Sequence, residues 1–309
     1  MAFYLYITLR GVKMFYIIIV ITLLLSSLNL KAFSQEKVFR IMGTYAILEI
    51  DGESEYDAYR YLKDLESKLS DYIEESEVSN INKFAGVKPV KVSQETFEVI
   101  KKAIDISKLT NGAFDITVGV ITIRHKRNKE IDLEKAKSLI NYKDVVLDEK
   151  NKTVFLRKKQ MAIDLGGIGK GFAVDKVYEK IQKEKGFIAI AGDLKVWGQK
   201  RLIGIYNPFN KKILAQGYVR KDLCLSTSGN YFQNHIIGKK TDLVQVSVIY
   251  QDCSFTDAVS TGIFAMDKND RERFLKESDF GYLIMYENGA IEFNKKFLDY
   301  FENLEFYPF

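Results

Sequence analysis

Apolar and polar positions alternate from Tyr45 to Ile50, and apolar residues then recur at helical spacing through Ala58, Leu62, Leu65, Leu69 and Tyr72. A strand therefore leads into a helix that ends near Asp71, and the polar run from Tyr72 to Asn82 reads as a turn-like connection. Ser93 is placed to cap a second helix carrying Phe97, Ile100 and Ile104, with Asn111-Gly112 as its stop. Ala113 to Gly119 fits neither the helical nor the strand period. Asp132 to Ile140 reads as a helix, and Val145–Leu147 and Thr153–Leu156 as strands about a turn at Asp148 to Asn151. A short apolar run, Met161 to Ile163, predicts a strand feeding the glycine-rich stretch Asp164-Leu-Gly-Gly-Ile-Gly-Lys-Gly171, after which Val174, Val177, Tyr178 and Ile181 line one helical face. Further strands are expected at Phe187–Ile190, Leu202–Tyr206, Leu223–Leu225 and Leu243–Tyr250, then a helix through Phe264 and Met266. A hairpin about Asn288-Gly289 and a short final helix close the chain. Strands interleave with helices without a regular βαβ repeat, so the fold class is α+β, a mixed domain with largely antiparallel sheets.

Composition changes this picture mainly at the N-terminus. The first 34 residues hold Arg10, Lys13 and Lys31 but no acid, and Phe15 to Leu30 is almost wholly apolar before Ala32-Phe33-Ser34. That is the pattern of a signal peptide, cleaved before Gln35, or of a retained membrane anchor with the same topology, leaving residues 35–309 as one exported domain in the cell envelope. Without the leader the formal net charge falls from +5 to +2, which gives nucleic-acid binding no support. Cys224 and Cys253 either pair in an oxidising compartment or remain buried thiols.

The glycine stretch carries the first candidate chemistry. Backbone N–H groups exposed by glycines at a helix N-terminus favour an anion, phosphate first. A Walker loop would need glycine at Asp164 and Ser or Thr at Gly171, and a dinucleotide fingerprint would not alternate Gly167, Gly169 and Gly171. Neither motif is present, so the stretch is a different phosphate turn or a close helix–strand contact. Ser226, Thr227 and Ser228 end a strand, where hydroxyls bind phosphate or cap a turn. Asp257 and Thr261 stand four apart at the start of a helix, so both oxygens face one way, towards a hard cation such as Mg²⁺ or as dipole partners of the helix. His125 lies in a basic run and reads as solvated surface.

In order, Met42-Gly43-Thr44, Ser76-Glu77-Val78-Ser79-Asn80-Ile81-Asn82, Gly112 to Gly119, Asp164 to Gly171, Ser226 to Tyr231, His235-Ile-Ile and Thr256 to Thr261 resemble the ApbE-type flavin transferases. That family splits FAD at its pyrophosphate and joins FMN to a threonine of an acceptor flavoprotein, releasing AMP, with Mg²⁺ as cofactor. The resemblance implies that the Gly169 carbonyl, Asp257 and Thr261 hold Mg²⁺, and that Met42, Tyr72, Ala113, Phe114, Asp115, Phe172 and Asp175 contact FAD. It places Lys170 beside the phosphates and makes Asp257 catalytic as a metal ligand; an acceptor threonine needs a nearby base, and His235, the one histidine after the leader besides His125, is the candidate for proton transfer or phosphate contact. Departures stand at Gly238 to Asp242 after that histidine, at Ile116 after Asp115, and at Ala191 before Gly192. They keep two alternatives open: an Mg²⁺-dependent FAD pyrophosphatase, and a non-enzymatic flavin-binding protein.

Overall fold

The computed structural model describes residues 37–50, 54–230 and 241–307. The expectations for the leader and for His235 lie outside them. In chain order the strands are β1 (Lys37–Ile41), β2 (Thr44–Ile50), β3 (Val90–Lys91), β4 (Val145–Asp148), β5 (Thr153–Leu156), β6 (Gly186–Ile190) and β7 (Asp193–Trp197). They continue with β8 (Leu202–Asn207), β9 (Lys212–Val219), β10 (Leu223–Ser228), β11 (Leu243–Tyr250), β12 (Gly281–Tyr286), β13 (Ile291–Phe293) and β14 (Phe301–Phe306). The α-helices are α1 (Ser54–Leu69), α2 (Glu77–Lys83), α3 (Gln94–Leu109), α4 (Leu133–Ser138), α5 (Gly169–Ile181), α6 (Cys253–Ala265), α7 (Lys268–Lys276) and α8 (Lys295–Leu298).

Eight strands form the main sheet in the order β1-β2-β6-β7-β10-β11-β12-β13, and every neighbouring pair is antiparallel. Two three-stranded sheets, β14-β9-β8 and β3-β5-β4, complete a mixed α+β domain. The period-two rule explains the layers. Ile188 and Ile190 of β6 face the core shared with the helices, while Phe187 and Ala189 face a second core with β8, β9 and β14. A strand buried on both faces reads as an unbroken apolar run, which is how Phe187–Ile190 stands out in the sequence.

Two local expectations are corrected, and one unassigned stretch takes a definite form. Residues 77–83 are helical rather than turn-like, because Ser76 caps them by accepting from the Ser79 N–H at 2.9 Å. Met161 to Ile163 is buried but pairs with no strand; instead Asn82 accepts from the Ile163 N–H at 2.7 Å and donates to its carbonyl at 3.0 Å. One amide side chain thus supplies what a ladder partner would have supplied. Ala113–Gly119 closes into a 3₁₀ turn at 116–118, capped by Asp115, which accepts from the Thr117 N–H at 2.8 Å. Met42 and Gly43, at φ 48° and 71°, form the two-residue turn between β1 and β2, the twist that a tight hairpin requires.

The cysteine alternatives resolve to a disulfide: Cys224 of β10 and Cys253, the first residue of α6, are bonded at 2.00 Å. The bond fastens α6 to the central sheet. It closes a loop with a sequence separation of 29 residues, worth about 3.5 kcal/mol of chain entropy. The Cys224→Ala/Cys253→Ala double variant is therefore expected to melt about 10 °C lower in a thermal scan. An unchanged Tm would mean that the bond does not constrain the unfolded chain.

Candidate active site

Helices α5 and α6 cross at their first turns, and the crossing is possible only because residue 171 is glycine. A Cβ there would lie 2.1 Å from the Cys253 carbonyl oxygen and 2.8 Å from Asp257 Cβ. A helix start leaves backbone N–H groups without partners, and each helix lends the other an acid from its second turn. Asp257 Oδ2 accepts from the Gly171 N–H at 3.0 Å. Reciprocally, Asp175 accepts from the N–H groups of Cys253 at 3.0 Å and Ser254 at 2.8 Å, and from the Ser254 hydroxyl at 2.6 Å. The carboxylates occupy the positive ends of both helix dipoles.

On one side of this crossing lies a cavity of about 750 Å³, within the range of small-molecule sites. Its wall includes Gly166, Gly167 and Lys170 from the glycine stretch, Asp257 and Thr261 from α6, and Thr227 and Ser228 from β10. Ala113, Phe114 and Asp115 form another part, and Asp193 and Gly204–Tyr206 contribute from the sheets. The Lys170 ammonium lies 3.0 Å from the Gly166 carbonyl, 3.2 Å from Asp193 Oδ2 and 3.5 Å from Asp257 Oδ2. Burial acts to lower the Lys170 pKa, but the Asp193 and Asp257 carboxylates outweigh it and hold the ammonium above its ordinary range. For Asp257, burial and then the Asp193 charge push the pKa up, against the opposing pull of Lys170 and the Gly171 N–H.

The β10 hydroxyls are tied to α6. Ser226 meets Thr256 at 2.8 Å, and Ser228 meets Ser260 at 2.8 Å and Thr261 at 3.1 Å. Asp164 shapes the glycine turn by accepting from the Gly166 N–H at 2.8 Å and from the Thr122 hydroxyl at 2.7 Å. A Cβ on Gly167 would come within 3.2 Å of the Phe114 ring and 3.4 Å of Thr261 Oγ1, so the bare backbone passes close to both.

The structure brings together Ala113, Phe114, Asp115, Lys170, Asp257 and Thr261 at the cavity. Gly169 opens α5 just behind the glycine turn. The remaining expected contacts lie elsewhere. Phe172 is wholly buried in the core, and Asp175 is turned to the N-terminus of α6, because an acid four residues beyond Gly171 faces the helix crossing. Tyr72 is 81% exposed beneath the Arg127 guanidinium, and Met42 sits at the hairpin turn, its N–H donating to Glu66 at 2.6 Å. Asp115 lines the cavity but spends its oxygens on Thr117 and on the Tyr142 N–H at 2.9 Å; burial raises its pKa. His125 is engaged with the Ile131 carbonyl at 2.9 Å. Sequence reasoning did not single out Asp193, although it ended a predicted strand at the Ala191-Gly192 turn. Its partner Lys170 is far away in the chain, so no local spacing links the two.

The oxygen donors at the cavity suit a hard divalent cation: one carboxylate and one hydroxyl a helical turn apart, beside the glycine turn. Comparison with known proteins gives the family and the fold. The family model described as the ApbE family matches residues 42–284. A FAD:protein FMN transferase of Vibrio cholerae serotype O1 is 28% identical over 238 residues, 67% of this chain and 71% of that protein. One of Klebsiella pneumoniae is 28% identical over 255 residues, 73% of this chain and 80% of that protein. The crystal structure of the ApbE protein of Thermotoga maritima superposes with a TM-score of 0.78 at 26% identity, covering 87% of this chain and 99% of that one. The flavin transferase ApbE of Vibrio cholerae shares the fold, with a TM-score of 0.75 at 22% identity over 86% of this chain and 98% of that one. With its motifs, its fold and the family model in agreement over most of its length, the chain belongs to the ApbE family.

Proposed function

We propose that the protein is an Mg²⁺-dependent FAD:protein FMN transferase of the cell envelope, exported by its N-terminal segment. The observation that carries this reading is the meeting of Lys170, the glycine turn and Asp257 in one cavity of a chain with the ApbE fold. A pyrophosphate needs positive charge beside its oxygens and an oxygen-ligated cation; Lys170 offers the first, and Asp257 with Thr261 the ligands of the second.

In the proposed reaction the threonine Oγ of an acceptor protein bonds to the FMN phosphorus as the bridging P–O bond breaks. AMP leaves with the bridging oxygen, and the hydroxyl proton passes to a base. Asp257, Thr261 and the Gly169 carbonyl would hold the cation, and Mg²⁺ there would neutralise phosphate charge and polarise the P–O bonds. Lys170 would approach the same oxygens as a point charge. Phe114, Ala113 and Asp115 would line the flavin nucleotide, while Asp175 and Phe172 fix α5 from behind. His235 is assigned the proton, since the other histidine of the chain, His125, is held by a backbone carbonyl. No helix among the described residues is long and apolar enough to cross a membrane; attachment, if the leader is retained, would rest on residues 1–34.

AMP release from FAD tests the reading: it should require Mg²⁺ and stop with EDTA. FAD that stays intact with Mg²⁺ present would mean a binding protein. A pH dependence follows from Asp257. Its raised pKa means that the stability contributed by the neutral acid is present below 3.8 and is lost as pH rises through the raised value. Only the ionised form binds a cation, so the Mg²⁺-induced gain in Tm should grow over the same rise. A gain that is flat with pH would argue against Asp257 as the ligand.

A further inference from the structure

Asp193 is a buried carboxylate at the first position of β7, 3% exposed, on a strand flanked by β6 and β10. Its backbone is held in register with Ile190 on one side and Ser226 on the other, so its place relative to the cavity is set by the sheet. The turn that delivers it forces Ala191 to φ 53°, a conformation that costs a residue with a Cβ about 1 kcal/mol. Asp193 and Asp257 approach the same ammonium, at 3.2 and 3.5 Å, so two carboxylates share one lysine. The two acids are not equivalent. Asp257 also accepts from the Gly171 N–H and sits one helical turn from Thr261, whereas Asp193 comes from the opposite element and its nearest cationic group is Lys170.

We propose that Asp193 is the positioning residue that retains Lys170 when a divalent cation takes Asp257, so that the carboxylate on α6 can serve the cation while the ammonium stays beside the phosphate oxygens. This assignment rests on the cation site proposed above. The two carboxylates divide the two cations: Asp193 takes the lysine and Asp257 takes the metal. If Asp193 is neutralised, Asp257 is the one carboxylate left of the pair around the ammonium, which then competes with the metal for it.

Competition of this kind has a signature that neither a structural role nor direct ligation shares. Mn²⁺ binding, followed by electron paramagnetic resonance without any flavin, should weaken about tenfold in Asp193→Asn, the scale of losing one close opposite charge in a partly buried site. Adding Lys170→Met to that variant should restore binding to the wild-type level or better, because the competing ammonium is gone. Asp193→Ala, alone and with Lys170→Met, repeats the comparison without an amide that could stand in for the carboxylate. Unchanged Mn²⁺ affinity in Asp193→Asn overturns the proposal. So does binding that stays weak in the double variant, which would make Asp193 itself a ligand or a purely structural support. Wild-type protein that binds no Mn²⁺, or binding indifferent to Asp257→Asn, removes the cation site itself, and this assignment falls with it.

Discussion

Replacing Gly171 with alanine is expected to slow Mg²⁺-dependent cleavage of FAD roughly 100-fold and to destabilise the fold together. The added Cβ would stand 2.1 Å from the Cys253 carbonyl oxygen and 2.7 Å from its carbon, atoms of a helix backbone that the Cys224–Cys253 disulfide fastens to the sheet. Neither side can yield as a flexible side chain would, so α5 and α6 must separate. Overpacking of this kind costs about 3 kcal/mol. Separation also moves Asp257 away from Lys170 and the glycine turn, and a displacement of about 1 Å in a reacting site costs roughly 100-fold in rate. Steady-state AMP release and a thermal melt on the same preparation measure both effects. A variant with wild-type Tm and activity would show that the close crossing is not required.

Asp257→Asn separates chemistry from folding. The amide oxygen can still accept from the Gly171 N–H, now made at 3.0 Å, so the cap on α5 survives and the variant should fold. What disappears is the charge that the cation needs. Losing a cation at a phosphoryl centre removes several kcal/mol of transition-state stabilisation, so AMP release should fall by about 1000-fold or more. Mg²⁺ should also no longer raise the Tm. Restoration of activity by high Mg²⁺ would indicate that Asp257 only tunes a site built by other residues.

Much of this site could be read locally. The glycine stretch preceding a helix and the Asp257–Thr261 spacing both lie within one or two helical turns, and each proved to face the cavity. The family resemblance rested on such short, ordered motifs, and the antiparallel α+β class followed from alternation and turn residues. What escaped depends on pairings between distant segments. Asn82 satisfies Ile163 across 81 positions, which is why an apolar run that reads as a strand is not one. The resemblance names Asp175 as a FAD contact, and no local spacing shows that the helix period turns it to the N-terminus of α6, 79 positions away at Ser254. The strands β1, β3, β7, β9 and β14 were not anticipated; their shortness or their exposed or polar positions weaken the alternation, and neighbours in the sheet hold them instead. Asp193 belongs to the same class: an unremarkable acid after a turn until the sheet brings it to Lys170.

In the proposed function the crossing of α5 and α6 builds a cation and pyrophosphate site that transfers FMN to protein. Intact-mass spectrometry of a threonine-bearing acceptor, incubated with this protein, FAD and Mg²⁺, tests it most directly. One FMN phosphoryl adduct per acceptor is expected, matched by one AMP, with neither formed by Asp257→Asn or when the acceptor threonine is replaced by valine. Free FMN and AMP with an unmodified acceptor would contradict it and make the protein a pyrophosphatase.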